Sequence, residues 1–335
     1  MMIADDIKLW FGSDAGSGNV SNISGAGSDS QHMLVAYDGR LDRLFLELVE
    51  FSRVVEDCRE NKCVLHVSVP DKDHGSFVSA CMLIGSYLIL KEGKDYDAVA
   101  NLFRSESFDL DLSAKPDPNA QISVSDCWRA LEAAAKQGWF EPRPTGEEAA
   151  LDLEELLHYA QSANGLVHMP IPGELYFFST PDDTLGDTAD WADSIDADGL
   201  IARSFSPGFT ADLLSDLGAT VAVCLDCTSP ATREALTRRS VVAVDLLLPA
   251  DGSAPLRGLD RLLLLLAASP GAVAVHSGRG REWPGYAGTL ARAAVMSRAG
   301  LDGAAAGAWL RMACPWCVRP AAAAAAAAKE EEEEE

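Results

Sequence analysis

Long apolar runs are missing from this chain. The most apolar stretch, Leu262 to Val275, is interrupted by Ser269, Pro270 and Gly271, and it is shorter than the roughly 20 residues that a bilayer span needs. The opening residues, MMIADDIKLWF, have neither a basic flank nor a continuous apolar core, so no secretory leader is expected. Cysteine is sparse too. Eight in 335 residues cannot build a disulfide scaffold, and reduced intracellular thiols are the expectation. Basic residues are outnumbered 51 to 27, for a formal net charge of −24. Without the terminal run Glu330 to Glu335 the balance is still about −18, which repels a phosphate backbone. Neither nucleic acid nor a membrane is expected as a partner.

What is present is a globular composition, 48% apolar over 335 residues, enough for two domains that each bury a core. Residues 12 to 30 are rich in Gly, Ser, Asn and Asp and read as a loop. Leu44, Leu48, Val49, Phe51 and Val55 recur at helical spacing within Leu41 to Asp57, Cys63 to Val69 reads as a buried strand, and Gly75 to Leu90 as a long apolar helix. A further helix is predicted over Ser125 to Gln137, with Ser125 as N-cap and Gly138 as its stop. Two prolines and a glycine then precede an acidic helix predicted from about Thr145 to Ala163. Beyond it, strand candidates at Leu175 to Ser179, Gly199 to Ala202, Thr220 to Leu225, Val241 to Leu248 and Ala272 to Val275 alternate with helical or turn-rich segments. That alternation predicts an α/β sheet with mostly parallel central strands. Eight alanines, Lys329 and six glutamates close the chain as a solvated tail.

One segment carries chemistry. GAVAVHSGRGREWPGYAGTL, residues 271 to 290, reads as strand, His276, glycine-rich loop and helix. In that layout backbone N–H groups and the positive helix terminus converge on an anion.

GAVAVHS, GTL and the later AWLRMACP together resemble the signature segment of the cell-division-cycle-fourteen dual-specificity phosphatases, cysteine phosphatases of the protein tyrosine phosphatase superfamily. IKLWF, LHVSVPDKDHGSFVSACMLIGSYLIL, SVSDCWRALEAAAKQGWF and IPGELYFFSTP look like that family's successive blocks. The resemblance implies an α/β fold of two tandem phosphatase-like domains joined by a linker helix. Residues 1–144 would form a degenerate first domain, 145–167 the acidic linker helix, 168–320 a dual-specificity-type domain and 321–335 the tail. In the family the second domain carries the catalytic cysteine, whose low-pKa sulfur is ionised near neutral pH and attacks phosphorus.

In that place the sequence has Ser277, a far weaker nucleophile without a general base. An arginine whose planar fork binds two phosphate oxygens is the second requirement. Alignment on Gly288, Thr289 and Leu290 puts Tyr286 there. The eleven residues between His276 and Gly288 also exceed the family's interval, so the loop is expected to be reshaped. His276, Gly278, Arg279, Gly280 and Arg281 are the candidates for residual phosphate binding. Asp251, in Asp-Gly-Ser-Ala-Pro, matches the family's general acid; without a nucleophile it is vestigial, or simply a turn residue. In the first half VSVPDKDHGSF offers neither cysteine nor arginine, and His66 and His74 read as a strand residue and a surface turn residue.

Cys224 with Cys227, and Cys314 with Cys317, form two C-x-x-C pairs. Their separation in sequence far exceeds that of a zinc ribbon, and Cys314-Pro-Trp-Cys317 closes a helix where a thioredoxin motif would open one. No metal and no cofactor are expected, although whether the pairs meet is left open. Trp128, Trp139 and Trp309 are expected in the core, whereas Trp283, beside Pro284, is expected to plug the substrate groove. The expected function is that of a catalytically inactive phosphatase-like binding or scaffold protein with protein partners. By resemblance it belongs inside the cell, in the cytoplasm or on a cytoskeletal, centrosomal or ciliary assembly, with the nucleus left open. An active dual-specificity phosphatase and a phosphopeptide reader without turnover are the alternatives.

Overall fold

A computed structural model describes residues 2–4, 7–12, 30–34, 40–70, 74–105, 109–116, 121–140, 153–186, 188–195, 201–225, 227–246, 255–276 and 283–315. The protein is a mixed α/β chain with a five-stranded, mostly parallel sheet flanked by helices. Among the described residues no helix is long and apolar enough to cross a membrane. Residues 13–29 of the Gly/Ser-rich segment, the acidic stretch before residue 151 and the Ala/Glu tail lie outside the described residues, while Gly12 and Ser30 at the ends of that segment belong to strands.

The chain divides into two compact units. Unit 1 is Met1–Ala149 together with Gly307–Met312, and unit 2 is Ala150–Ala306 with Ala313–Glu335. Unit 1 contains β1 (Met2–Ala4), β2 (Ile7–Gly12), β3 (Ser30–Leu34), α1 (Leu44–Glu60), β4 (Val64–Pro70), α2 (His74–Leu90), α3 (Tyr96–Arg104) and α4 (Val124–Lys136). Its four-stranded sheet has the order β1-β2-β4-β3. β4 pairs in parallel with β2 and β3, and β1 runs antiparallel to β2. His66 lies in β4 as the sequence implies, but His74 is the first residue of α2, not a turn residue. The segment around Tyr96, which the apolar spacing did not single out, is helical.

Helix α2 packs against β4, α1, α3 and α4, which is why its sequence lacks a polar face: every residue from Val78 to Leu90 is buried. Its two buried serines turn back on the helix, Ser86 Oγ donating to Met82 O at 2.7 Å and Ser79 Oγ to Gly75 O at 2.9 Å, so neither hydroxyl is stranded in the core. Gly85 makes the approach of α4 possible, since a Cβ at that position would lie 2.2 Å from the Trp128 ring. The Trp128 Nε1–H donates to Met82 O at 3.3 Å, and its ring lies 5.4 Å from that of Phe103. A second aromatic group joins Phe45, Trp139, Phe140 and Trp309, with Trp139 and Trp309 5.0 Å apart. All three tryptophans expected in a core are buried.

The N-cap of α4 is Ser123, and the expected Ser125 is a correction. Ser123 Oγ accepts from Asp126 N at 3.1 Å while the Asp126 carboxylate accepts from Ser123 N at 3.0 Å, a reciprocal capping box. Ser125 lies inside the helix, its hydroxyl 2.8 Å from that of Tyr96. At the other end Gly138 has φ +69°, the left-handed conformation that favours glycine after a helix.

Unit 2 contains α5 (Leu153–Tyr159), β5 (His168–Ile171), β6 (Leu175–Phe177), β7 (Trp191–Ile195), β8 (Ile201–Phe205), α6 (Pro207–Asp216), β9 (Ala219–Cys224), α7 (Pro230–Arg238), β10 (Val242–Asp245), α8 (Pro255–Ala268), β11 (Ala272–His276) and α9 (Trp283–Ala299). α10 (Gly303–Ala313) starts in this unit, and its Gly307–Met312 stretch belongs to unit 1. The acidic helix expected to reach Ala163 stops at Tyr159, and a single 3-10 turn, Ser162–Asn164, follows it.

The main sheet has the order β10-β9-β11-β6-β5. β10, β9, β11 and β6 are parallel and only β5 is antiparallel, as the alternation of strands and helices requires. The strand expected near Gly199 to Ala202 is not part of this sheet. It is β8, which pairs with β7 in a separate antiparallel ribbon, where Arg203 makes a bidentate bond to Asp193 (2.6 and 2.9 Å) and lies 5.2 Å from the centre of the Trp191 ring. Serine–proline pairs start two helices: Ser206 caps α6 and Ser229 caps α7, with Pro207 and Pro230 in the first turn, where a missing N–H costs nothing.

Candidate functional site

Four parallel strands of unit 2 end together. Phe177, Cys224, Asp245 and His276 close β6, β9, β10 and β11, and register pairs His276 with Cys224 and Asp245 with Cys224. In open α/β sheets ligands bind outside this carboxyl edge, where helix N-termini and loops converge. β11 is the central strand, its last residues clamped from both sides. Leu225 N donates to His276 O at 2.9 Å and Phe178 N to Val275 O at 3.1 Å. The His276 side chain is buried at 2% exposure, its ring 4.7 Å from that of Phe178. The chain therefore leaves the centre of the sheet at a fixed point and enters α9 at Trp283.

Of the residues singled out for phosphate chemistry, His276 alone has a described side chain at this edge, where Cys224 of the first C-x-x-C pair is also buried. Ser277, Gly278, Arg279, Gly280 and Arg281 lie outside the described residues, between β11 and α9. Asp251 does as well, between β10 and α8, whose first residue is Pro255. Tyr286 is the fourth residue of α9, and its placement revises the expected loop. Of the eleven residues between His276 and Gly288, the last five, Trp283 to Ala287, already belong to the helix. Pro284 is compatible with a first helical turn, so the helix starts earlier than alignment on Gly288, Thr289 and Leu290 implies. Tyr286 thus stands on the helix and not in the loop. Trp283 begins α9; the side chain expected to plug a groove is outside the described part of that residue.

The same edge holds a polar network that sequence reasoning missed. Asp245 Oδ1 accepts from Thr228 N at 3.0 Å and from Thr228 Oγ1 at 2.6 Å, and Asp245 Oδ2 accepts from Arg233 Nη2 at 2.6 Å. Burial opposes ionisation of this carboxyl, but the Thr228 donors and the Arg233 guanidinium outweigh it and hold Asp245 below the ordinary carboxylate range. Alongside, Asp183 accepts from Ser229 Oγ at 2.8 Å, tying the segment after β6 to the start of α7. The available signals were the Thr-Ser-Pro helix start at 228–230 and an acid closing an apolar run. Chemically, Asp245 is an ionised acceptor that fixes the β9–α7 turn; it has no proton to give at neutral pH.

Metal chemistry finds no donor set in what is described. Among the described residues no three His, Cys, Asp or Glu side chains are gathered around one point. Cys224 and Cys314 are buried, Cys227 is exposed, and Cys317 is outside the described residues. Comparison with known proteins adds no relative: no family model matches the chain, and no curated protein matches it.

Proposed function

We infer that the protein is a phosphatase-like chain of the dual-specificity type that has lost catalytic power and acts by holding a protein partner. The observation that carries this reading is the exit of β11 from the centre of a mostly parallel sheet at His276, with Ser277 next in sequence and α9 following six residues later. A cysteine phosphatase needs an ionised sulfur at that position, and a serine hydroxyl is not ionised at neutral pH. The replacement of the phosphate-gripping arginine by Tyr286 points the same way. In the finer form of the proposal, the two units are the two tandem phosphatase-like domains of the family that the sequence resembles, and the chain serves a cytoskeletal or ciliary assembly.

Purification of the native assembly from cells, followed by mass spectrometry, tests the reading. A stable set of co-purifying proteins is expected; a chain that purifies alone and releases phosphate from phosphopeptides contradicts it. A second reading, a phosphopeptide reader without turnover, is favoured by Arg279 and Arg281 just before a helix N-terminus. Binding of phosphoserine–proline peptides that is lost on changing both arginines to alanine selects it.

A further inference from the structure

Two cysteines of unit 1 meet where α1 ends. Lys62 N donates to Arg59 O at 3.1 Å and Cys63 N to Cys58 O at 2.9 Å, the paired bonds of a Schellman motif. Lys62 stands at φ +53°, in the left-handed position that glycine usually fills. In this motif the residues joined by the longer bond frequently put their side chains in contact, and here both are cysteines. A main-chain bond of that length keeps their Cα atoms within about 7 Å, the span that a disulfide can bridge. The Cys63 thiol also donates to Cys58 O, at 3.5 Å, so its sulfur lies over the other residue. Both are present as thiols.

We propose that Cys58 and Cys63 are a peroxide-sensitive dithiol pair that closes to a disulfide and staples the end of α1 to the start of β4. Cys58 is wholly buried, whereas Cys63 is 9% exposed beside the exposed Asn61 and Lys62, so a small oxidant reaches Cys63 first. Its thiolate attacks hydrogen peroxide; the O–O bond breaks, one oxygen stays on sulfur as a sulfenic acid and the other leaves as hydroxide, which takes up the thiol proton as water. The Cys58 sulfur then attacks the sulfenic sulfur, and the hydroxyl group leaves with the Cys58 proton as a second water. Two thiols and one peroxide thus give one disulfide and two waters. Cys81, in the middle of α2, is the contrasting case: it is fully buried, and burial pushes its thiol up, away from ionisation. The inference does not rest on the phosphatase reading, since both cysteines belong to unit 1.

The experiment exposes the folded full chain to hydrogen peroxide, alkylates the remaining thiols with iodoacetamide on unfolding, and digests with trypsin without reduction. Cleavage after Arg53, Arg59, Lys62 and Lys72 leaves the two cysteines on separate peptides, 54–59 and 63–72. A bridge therefore shows as one linked species in the mass spectrum, with alkylation lost at both positions. Dithiothreitol should dissolve the link and lower the midpoint of thermal unfolding by about 5 °C, the worth of a short closed loop. In Cys58→Ser, a dimedone adduct should collect at Cys63; in Cys63→Ser, Cys58 should stay open to alkylation. The digest of the parent chain decides if either variant unfolds. Full alkylation of both cysteines after peroxide overturns the proposal, as does a link that forms only in the unfolded chain, sulfinic acid at Cys63 without a link, or a midpoint that reduction does not move.

Discussion

The interior of unit 1 and the carboxyl edge of unit 2 handle polar groups in opposite ways. In α2 the buried Ser79 and Ser86 hydroxyls bend back to their own helix, and the residues around it are tryptophan, phenylalanine and aliphatic side chains in contact. At the carboxyl edge Asp245, Thr228, Arg233, Ser229 and Asp183 bond across segments far apart in sequence. The first pattern fixes shape alone, whereas the second places charge and donors where loops leave a sheet. A residue change in unit 1 should therefore be read as a change in stability, and one at the edge of unit 2 as a change in recognition.

The largest effect that could break this contrast concerns Trp128. Trp128→Ala should cost about 4 kcal/mol, the loss typical of a fully buried tryptophan. Gly85→Ala, whose new Cβ meets the same ring, should cost about 3 kcal/mol. In the double variant the two penalties should fall short of their sum, because the clash disappears with the ring. Urea denaturation, with hydrogen exchange followed in α2 and α4, measures all three. Additive penalties would mean that Gly85 is not what lets α4 approach.

His168 in β5 comes next. Burial pushes its pKa down from 6.5 to about 3, so the ring is neutral in the fold while the unfolded chain takes up a proton below about pH 6.5. Stability present above that pH is lost as the pH falls toward 3, amounting to about 2 kcal/mol by pH 5. His168→Gln should remove this acid sensitivity. Denaturation midpoints at pH 7 and pH 5 compare the two proteins, and an equal acid loss in the variant would show that His168 is not responsible.

The smallest effect separates two capping assignments. Ser123→Ala should destabilise α4 by about 1 kcal/mol, and Ser125→Ala, which loses only the bond to Tyr96, by about 0.5 kcal/mol. Thermal melts of the two variants rank them. The reverse order would restore Ser125 as the cap.

Periodicity made much of the scaffold readable. The apolar spacing of Leu44 to Val55, the polar-free run of α2 and the short apolar segments of β9 and β11 each have a single low-cost solution, and the parallel sheet follows from their alternation. Cap identity was less legible, because Ser123 and Ser125 are equally good acceptors and only Asp126, which returns the bond to Ser123, decides between them. The β7–β8 ribbon was misread because a short strand candidate carries no sign of which strand it pairs with, and Asp193 and Arg203 make that choice across the ribbon. At the site His276 was legible as the residue closing a buried strand. The start of α9 was not, since Pro284 reads equally well as a loop residue or as a first-turn residue. Asp245 escaped notice because its partners Thr228 and Arg233 lie more than ten residues away in sequence and meet it only through the β9–α7–β10 crossover.

The central claim is that Ser277 stands where catalysis needs an ionised sulfur. Release of inorganic phosphate from an aryl phosphate, measured at neutral pH with clean recombinant protein beside its Ser277→Ala and Asp251→Asn variants, tests it most directly. The account predicts rates for all three that match the buffer blank. Turnover by the parent chain that either substitution abolishes would contradict it.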